Sequence, residues 1–288
     1  MSEAALLDVK SLIVEYPTRS GPFRAVDNVS FSVKRGKTLG IVGESGCGKS
    51  TIARSIVRLL RPTSGQIALN GVDLVPMSER QFRPLRSRIQ MVFQDPYGSL
   101  NPRMTAQDLI AEPIGMRVRE LSREQRRVKA REYLERVGLP STAAERRAHE
   151  FSGGQRQRIG IARALACEPD LIVLDEATSA LDVSVQAQIL RLLKDLQDET
   201  HSTFIVISHN LGVVREISES VVVMSKGRIV EHGDTQRVLE SPVDPYTRTL
   251  RAAALDPTTM VGIKPREVLS MFRQVSTPTD VVRMATTE

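Results

Sequence analysis

The eight residues Gly43-Glu44-Ser45-Gly46-Cys47-Gly48-Lys49-Ser50 constrain this chain more than any other stretch, because they meet the phosphate-loop pattern G-x-x-x-x-G-K-[ST]. Such a loop works only between a buried strand and a helix. The flanks comply: Thr38 to Val42 reads as a buried strand, and Ser50 to Leu60 as the helix that follows. Glycines let successive backbone N–H groups turn inward at a helix N-terminus, where unpaired donors and the helix dipole favour an anion. Gly43, Ser45, Gly46, Cys47 and Gly48 then form the cradle. Lys49 reaches the terminal phosphates, Ser50 ligates Mg²⁺ and Thr51 reaches an inner phosphate. A glycine turn that merely caps a helix is the plainer alternative, and the matching flanks disfavour it.

A second chemical feature lies downstream. Leu171-Ile172-Val173-Leu174-Asp175-Glu176 is a short buried strand ending in two acids, at the sheet edge where α/β proteins bind ligands. Asp175 suits a metal ion, held directly or through water, and Glu176 suits taking a proton from an attacking water. Without a phosphate loop, the pair reads equally well as a solvated turn or a helix cap. Between the two features, Phe151-Ser152-Gly153-Gly154-Gln155 opens a helical run and makes a second anion-binding helix start; in isolation it is also an ordinary Ser N-cap.

Composition sets the outer limits. With 288 residues and 41% hydrophobic content, the chain can bury a full core. Its longest apolar runs, Leu171 to Leu174 and Val221 to Met224, fall far short of the roughly 18 residues of a membrane helix. The start, Met1 to Asp8, has an acid where a signal peptide carries positive charge, so a cytoplasmic protein is expected. Two cysteines, Cys47 and Cys167, give neither a disulfide framework nor metal-ligand spacing. A net charge of +6 suits nucleic acid, anionic lipid or nucleotide alike. The arginine-dense run from Arg117 to Arg147 carries an apolar stripe, Ala130, Tyr133, Leu134 and Val137, which reads first as an amphipathic helix with a solvated basic face.

Taken in order, the phosphate loop, Ser152-Gly153-Gly154-Gln155, Asp175-Glu176, Ser179-Ala180-Leu181-Asp182 and Ile207-Ser208-His209 resemble the ATP-binding cassette ATPases. The resemblance spans roughly residues 6 to 255. It implies an α/β fold: a P-loop NTPase core of RecA type, an antiparallel β subdomain and an inserted α-helical subdomain. The ATPase domain is placed at 1–255, with the helical subdomain at about 102–152 and a tail at 256–288. It further implies that the loop of one subunit and the SGGQ segment of another sandwich ATP with Mg²⁺, so that catalysis needs a dimer. Carried over by motif, Tyr16 stacks on adenine or is simply a core tyrosine. Gln94 touches Mg²⁺ and the attacking water. Ser152, Gly153, Gly154 and Gln155 grip the γ-phosphate of the opposite ATP. Asp182 sits at the dimer seam, and His209 contacts the γ-phosphate and helps place the water.

Two segments narrow the branch. Met91 to Met104 resembles the region around the conserved glutamine in the oligopeptide, dipeptide and nickel importer ATPases, and Ser241 to Leu250 resembles that branch's C-terminal motif. The run His149 to Arg158 looks more like the F-type than the D-type member of the pair. The implied partners are a D-type ATPase, two permease subunits and, indirectly, a substrate-binding protein, with the chain peripheral on the inner membrane face and no nucleic acid. A soluble cassette ATPase acting on nucleic acid or the ribosome is the rival, yet such proteins generally carry tandem cassettes or long coiled-coil insertions. No cysteine follows Cys167, so the iron–sulfur cluster of some branch members is not expected. The tail reads as either partly disordered or packed on a partner.

Overall fold

A computed structural model of the chain describes residues 5–19 and 21–255. The chain starts as a long antiparallel hairpin, β1 (Ala5–Thr18) and β2 (Gly21–Lys34). Along β1 Leu6 and the alternating Leu7 and Val9 are buried, then Leu12 and Val14, a change of parity between the two alternating pairs that would turn half the strand outward. A register shift between Val9 and Leu12, with Ser11 at φ 47°, restores the inward face.

Next comes β3 (Thr38–Gly43), buried along its whole length, and α1 (Lys49–Ile56). This helix is shorter than the Ser50 to Leu60 expectation. Arg58 adopts φ 58° and donates its guanidinium to Leu74 O and to Met77 O (2.8 Å), so distant carbonyls stop the helix where local propensity would continue it. The strands β4 (Ser64–Leu69) and β5 (Val72–Asp73) close through Asn70 and Gly71, both at positive φ, as an Asn-Gly hairpin requires. The chain continues through α2 (Glu79–Phe82), β6 (Ile89–Val92) and α3 (Pro96–Ser99) into three longer helices, α4 (Ala106–Arg117), α5 (Arg123–Arg136) and α6 (Gly153–Leu165). Strand and helix then alternate: β7 (Leu171–Asp175), α7 (Val183–Thr200), β8 (Thr203–Ser208), α8 (Leu211–Ile217) and β9 (Ser220–Ser225). Finally β10 (Arg228–Asp234), α9 (Thr235–Glu240) and α10 (Pro245–Leu255) end the described chain; residues 256–288, on which the expectation about the tail falls, lie outside it.

Among the described residues the strands form two sheets. One is antiparallel, ordered β2-β1-β4-β5; the other runs β10-β9-β3-β8-β7-β6, parallel except for β10 against β9. Helix α1 lies between the sheets, its Ile52, Ala53 and Ile56 buried with residues of β1, β3, β7 and β8. Each of the two isoleucines contributes about 1.5–3 kcal/mol by leaving water, which fixes the helix start against the end of β3. A second core joins α4–α7 to β6–β8, and a third sets α8–α10 beneath β3 and β9. In α5 the expected stripe of Ala130, Tyr133 and Leu134 is buried, while the basic face is partly occupied by ion pairs within the chain, Arg127 to Asp108 at 2.9 Å and Arg136 to Glu199 at 2.7 Å. Among the described residues no helix is long and apolar enough to cross a membrane.

Candidate functional site

At the C-terminal end of β3 the chain turns through Gly43–Gly48 into α1. Gly48 is the N-cap at φ 107°, a conformation that favours glycine, and a Cβ there would lie 2.4 Å from the backbone oxygen of Ala25. Lys49 is nearly fully buried, and its ammonium donates to Gly43 O and Glu44 O, both at 2.8 Å. Cys47 N–H donates to Glu44 O at 3.3 Å. The Cys47 thiol itself is buried, and burial pushes its pKa up, so it is neither exposed nor thiolate-prone.

The two acids at the end of β7 face different partners. Consecutive strand residues normally point to opposite faces, and here the strand stops at Asp175 while Glu176 takes φ 49°, an unusual conformation for a side chain of its size. Asp175 Oδ1 accepts from the Ser50 hydroxyl at 2.9 Å. Burial raises the Asp175 pKa above the ordinary carboxylate value, against the Ser50 hydrogen bond that lowers it, and the neighbouring Glu176 charge adds to the rise. Glu176 turns instead to His209, whose Nδ1 lies 3.4 Å from Oε1, and to Gln94, whose Nε2 donates to Oε2 at 2.9 Å. Gln94 Nε2 also reaches Ser179 Oγ at 3.3 Å. The hydrogen bond with His209 chiefly holds the Glu176 pKa below its usual value; burial opposes it, while the His209 and Lys49 charges and Ser179 assist. Thus Lys49, Ser50, Asp175, Glu176, Gln94 and His209, drawn from four elements or their ends, meet at one edge of the parallel sheet.

The oxygens of Ser50 and Asp175 are hard donors of the kind Mg²⁺ takes, and among the described residues no group of three or more acidic, His or Cys side chains forms a closed cage. A two-oxygen protein set completed by phosphate and water suits Mg²⁺. Gln94 joins this pair only through Glu176.

The second anion-binding start sits on α6. Ser152 is its N-cap, accepting from Gln155 N–H, while Gln155 Oε1 accepts from Ser152 N–H at 3.0 Å. Gln155 is therefore turned back into a capping box, and the first-turn N–H groups of Gly153 and Gly154 are the donors left at the helix end. A Cβ on Gly154 would fall 2.5 Å from Val185 Cγ1, so the bare backbone lets α6 approach α7. Asp182 is the exposed N-cap of α7 and makes no side-chain capping bond; Val183 beside it is 84% exposed, unusual for a valine. Phe151 is buried, with the Arg146 guanidinium 4.4 Å from its ring centre.

Tyr16 is not a core tyrosine. It is half-buried on β1, with its hydroxyl 3.4 Å from Thr51 Oγ1, so β1 and the phosphate loop share a contact. Two neighbours escape sequence reading. Ser179 links Gln94 to the Glu176 backbone, donating to Glu176 O at 2.9 Å, and Tyr246 accepts from Glu44 N–H at 3.0 Å. Apart from the loop, a cleft of about 930 Å³ opens where α1 ends and α4 begins to turn away, lined by Leu59, Arg86, Phe93, Met116, Arg117 and Arg119 among others. Leu59 and Met116 are 57% and 69% exposed.

A nucleotide loop on a mixed-sheet core, a helical lobe carrying a second glycine helix start, and acids at the strand end between them define a cassette-type P-loop ATPase. The chain belongs to the ABC transporter family, whose model matches residues 26–179. It is 53% identical over 257 residues to a probable peptide ABC transporter ATP-binding protein, y4tS, of Sinorhizobium fredii, covering 87% of this chain and 72% of the relative. To the oligopeptide transport ATP-binding protein AppF of Bacillus subtilis it is 49% identical over 257 residues, 86% of this chain and 78% of the relative. Among solved structures it resembles the cassette MJ0796 in a dimeric post-hydrolysis state with ADP and Pi, with a TM-score of 0.73, 31% identity, and 80% and 98% of the two chains covered. It also resembles cbiO1 of Clostridium perfringens, part of the cbiONQ transporter complex, with a TM-score of 0.73, 28% identity, and 93% and 99% covered.

Proposed function

We propose that this ATPase energises uptake of oligopeptides or dipeptides through a membrane permease. The observation that carries the reading is the meeting of Ser50 with Asp175, and of Glu176 with His209 and Gln94, beside the phosphate loop. The names of the relatives, peptide and oligopeptide transport ATP-binding proteins, supply the cargo class.

In this account the loop N–H groups from Ser45 to Ser50 cradle the phosphates, Lys49 moves from the carbonyls of Gly43 and Glu44 to the terminal phosphates, and Thr51 reaches an inner one. Tyr16 stacks on adenine. Ser50 and Asp175, joined by Gln94, would hold Mg²⁺, which would neutralise charge on the phosphates. Glu176, kept ionised by His209, takes the proton of the attacking water. His209 and Gln94 place that water, and both already touch the carboxylate that must receive its proton.

ATP binding closes a dimer. Ser152, Gly153 and Gly154 of one subunit meet the γ-phosphate held by the other, with Gln155 fixing the helix start and Asp182 at the seam. The other subunit is a D-type relative. One of the two permease subunits docks at the cleft between Leu59 and Met116, next to the Gln94 segment, so that loss of the γ-phosphate is felt there, and the other docks on the partner ATPase. A binding protein delivers the peptide outside, and the chain works at the inner membrane face.

The test is ATP-driven uptake of a labelled oligopeptide by vesicles holding the complete complex. Uptake is expected to disappear with Lys49→Ala; uptake at the parental rate would show that this loop does not drive transport.

A further inference from the structure

The segment Ser241 to Leu250 plays no part in the mechanism above, yet its place in the fold ties it to the phosphate loop. The turn before α10 is pinned to β10: Glu231 Oε1 accepts from Val243 N–H at 2.9 Å and Oε2 from Asp244 N–H at 3.1 Å. Asp244 Oδ1 in turn accepts from Tyr246 N–H at 2.8 Å. The Tyr246 ring packs against the core that contains Val42 of β3 and Leu250 of α10. These contacts aim the hydroxyl at the corner where β3 becomes the loop, where it accepts from Glu44 N–H at 3.0 Å.

That N–H belongs to the peptide whose carbonyl, Gly43 O, accepts from Lys49 Nζ at 2.8 Å. The same peptide is thus held from both sides, by Lys49 at its oxygen and by Tyr246 at its nitrogen. Lys49 has to leave the carbonyl to reach a phosphate. The Tyr246 contact is on the nitrogen side of that peptide and does not depend on the lysine.

We propose that Tyr246 is a positioning residue for the phosphate loop: its hydroxyl keeps the Gly43–Glu44 peptide in the orientation nucleotide binding needs, so the C-terminal motif sets affinity for ATP. The inference rests on the reading of Gly43–Ser50 as the ATP site. Preorganising the loop removes an ordering cost from binding, and one neutral hydrogen bond has a net effect that corresponds to a few-fold to about tenfold in affinity.

The experiment uses the full chain within its complete complex, with Tyr246→Phe, which keeps the ring and its packing. ATP dissociation constants, KM, kcat and the melting temperature are measured together. Kd and KM are expected to rise about three- to tenfold, with kcat within about twofold. Glu231→Gln, which loosens the turn from outside the loop, is expected to move Kd in the same direction. Unchanged Kd and KM with only a lower melting temperature, or tighter ATP binding, would overturn the proposal. Lys49→Ala run in parallel separates the two possible failures: parental ATP affinity in that variant removes the loop reading itself, whereas loss there with parental affinity in Tyr246→Phe removes only the role of Tyr246.

Discussion

Replacing Glu176 by Gln separates chemistry from structure more cleanly than any other single change in this site. The carboxylate has two side-chain contacts of consequence, Gln94 Nε2 at 2.9 Å and His209 Nδ1 at 3.4 Å. Gln has the same shape, its amide oxygen continues to accept from Gln94, and its amide nitrogen can meet the His209 ring nitrogen in the complementary tautomer. The backbone bond from residue 176 N–H to Ile207 O, 3.0 Å, is untouched. Folding stability should therefore change by less than about 1 kcal/mol. Proton acceptance is lost altogether, and removal of a positioned base lowers the rate by about 10²–10⁴-fold. At about 1.36 kcal/mol per decade this is about 2.7–5.5 kcal/mol in the barrier. The signature is the asymmetry: a melting curve and ATP retention close to the parent, with phosphate release slowed by orders of magnitude in a single-turnover assay. Phosphate release within about threefold of the parent would refute Glu176 as the base.

Three other outcomes follow from particular contacts. Gly48→Ala places a Cβ 2.4 Å from Ala25 O at φ 107°, and because the obstacle is backbone it cannot swing aside; the melting temperature should fall by about 2–12 °C and ATP binding should weaken, as calorimetry and titration would read. Burial pulls the Glu231 pKa up, but the N–H groups of Val243 and Asp244 hold it below the usual value, so its ionised form stabilises the fold above the ordinary carboxylate range. Glu231→Gln should then melt earlier than the parent at neutral pH, and the gap should close as pH falls below about 4, seen in melting curves across pH. Leu59→Glu or Met116→Glu, both on the exposed lip of the cleft, should abolish coupled peptide uptake while leaving ATP binding by the isolated chain unchanged.

What the sequence made legible was local. The strand–loop–helix order around Gly43–Ser50 and the α5 stripe each depend on a few neighbouring residues, and each stands in the fold where the pattern put it. The family was legible as well, because its motifs occur in a fixed order. Partnerships between distant residues were not. Ser50 and Asp175 are 125 positions apart, and Glu44 and Tyr246 are 202 apart; no spacing rule connects them. The same holds for the early end of α1, set by Arg58 reaching carbonyls beyond β5, and for Gln155, whose side chain folds back to Ser152 rather than toward the helix end. The φ of 49° at Glu176, which sends two adjacent acids to different partners, depends on β8 alongside and leaves no mark in the local pattern.

The most direct measurement of the central claim is to isolate the native protein from gently solubilised membranes and identify its companions by mass spectrometry. Recovery with two permease subunits and a second cassette ATPase is the expected result; recovery in a soluble fraction with ribosomes or nucleic acid would contradict the account.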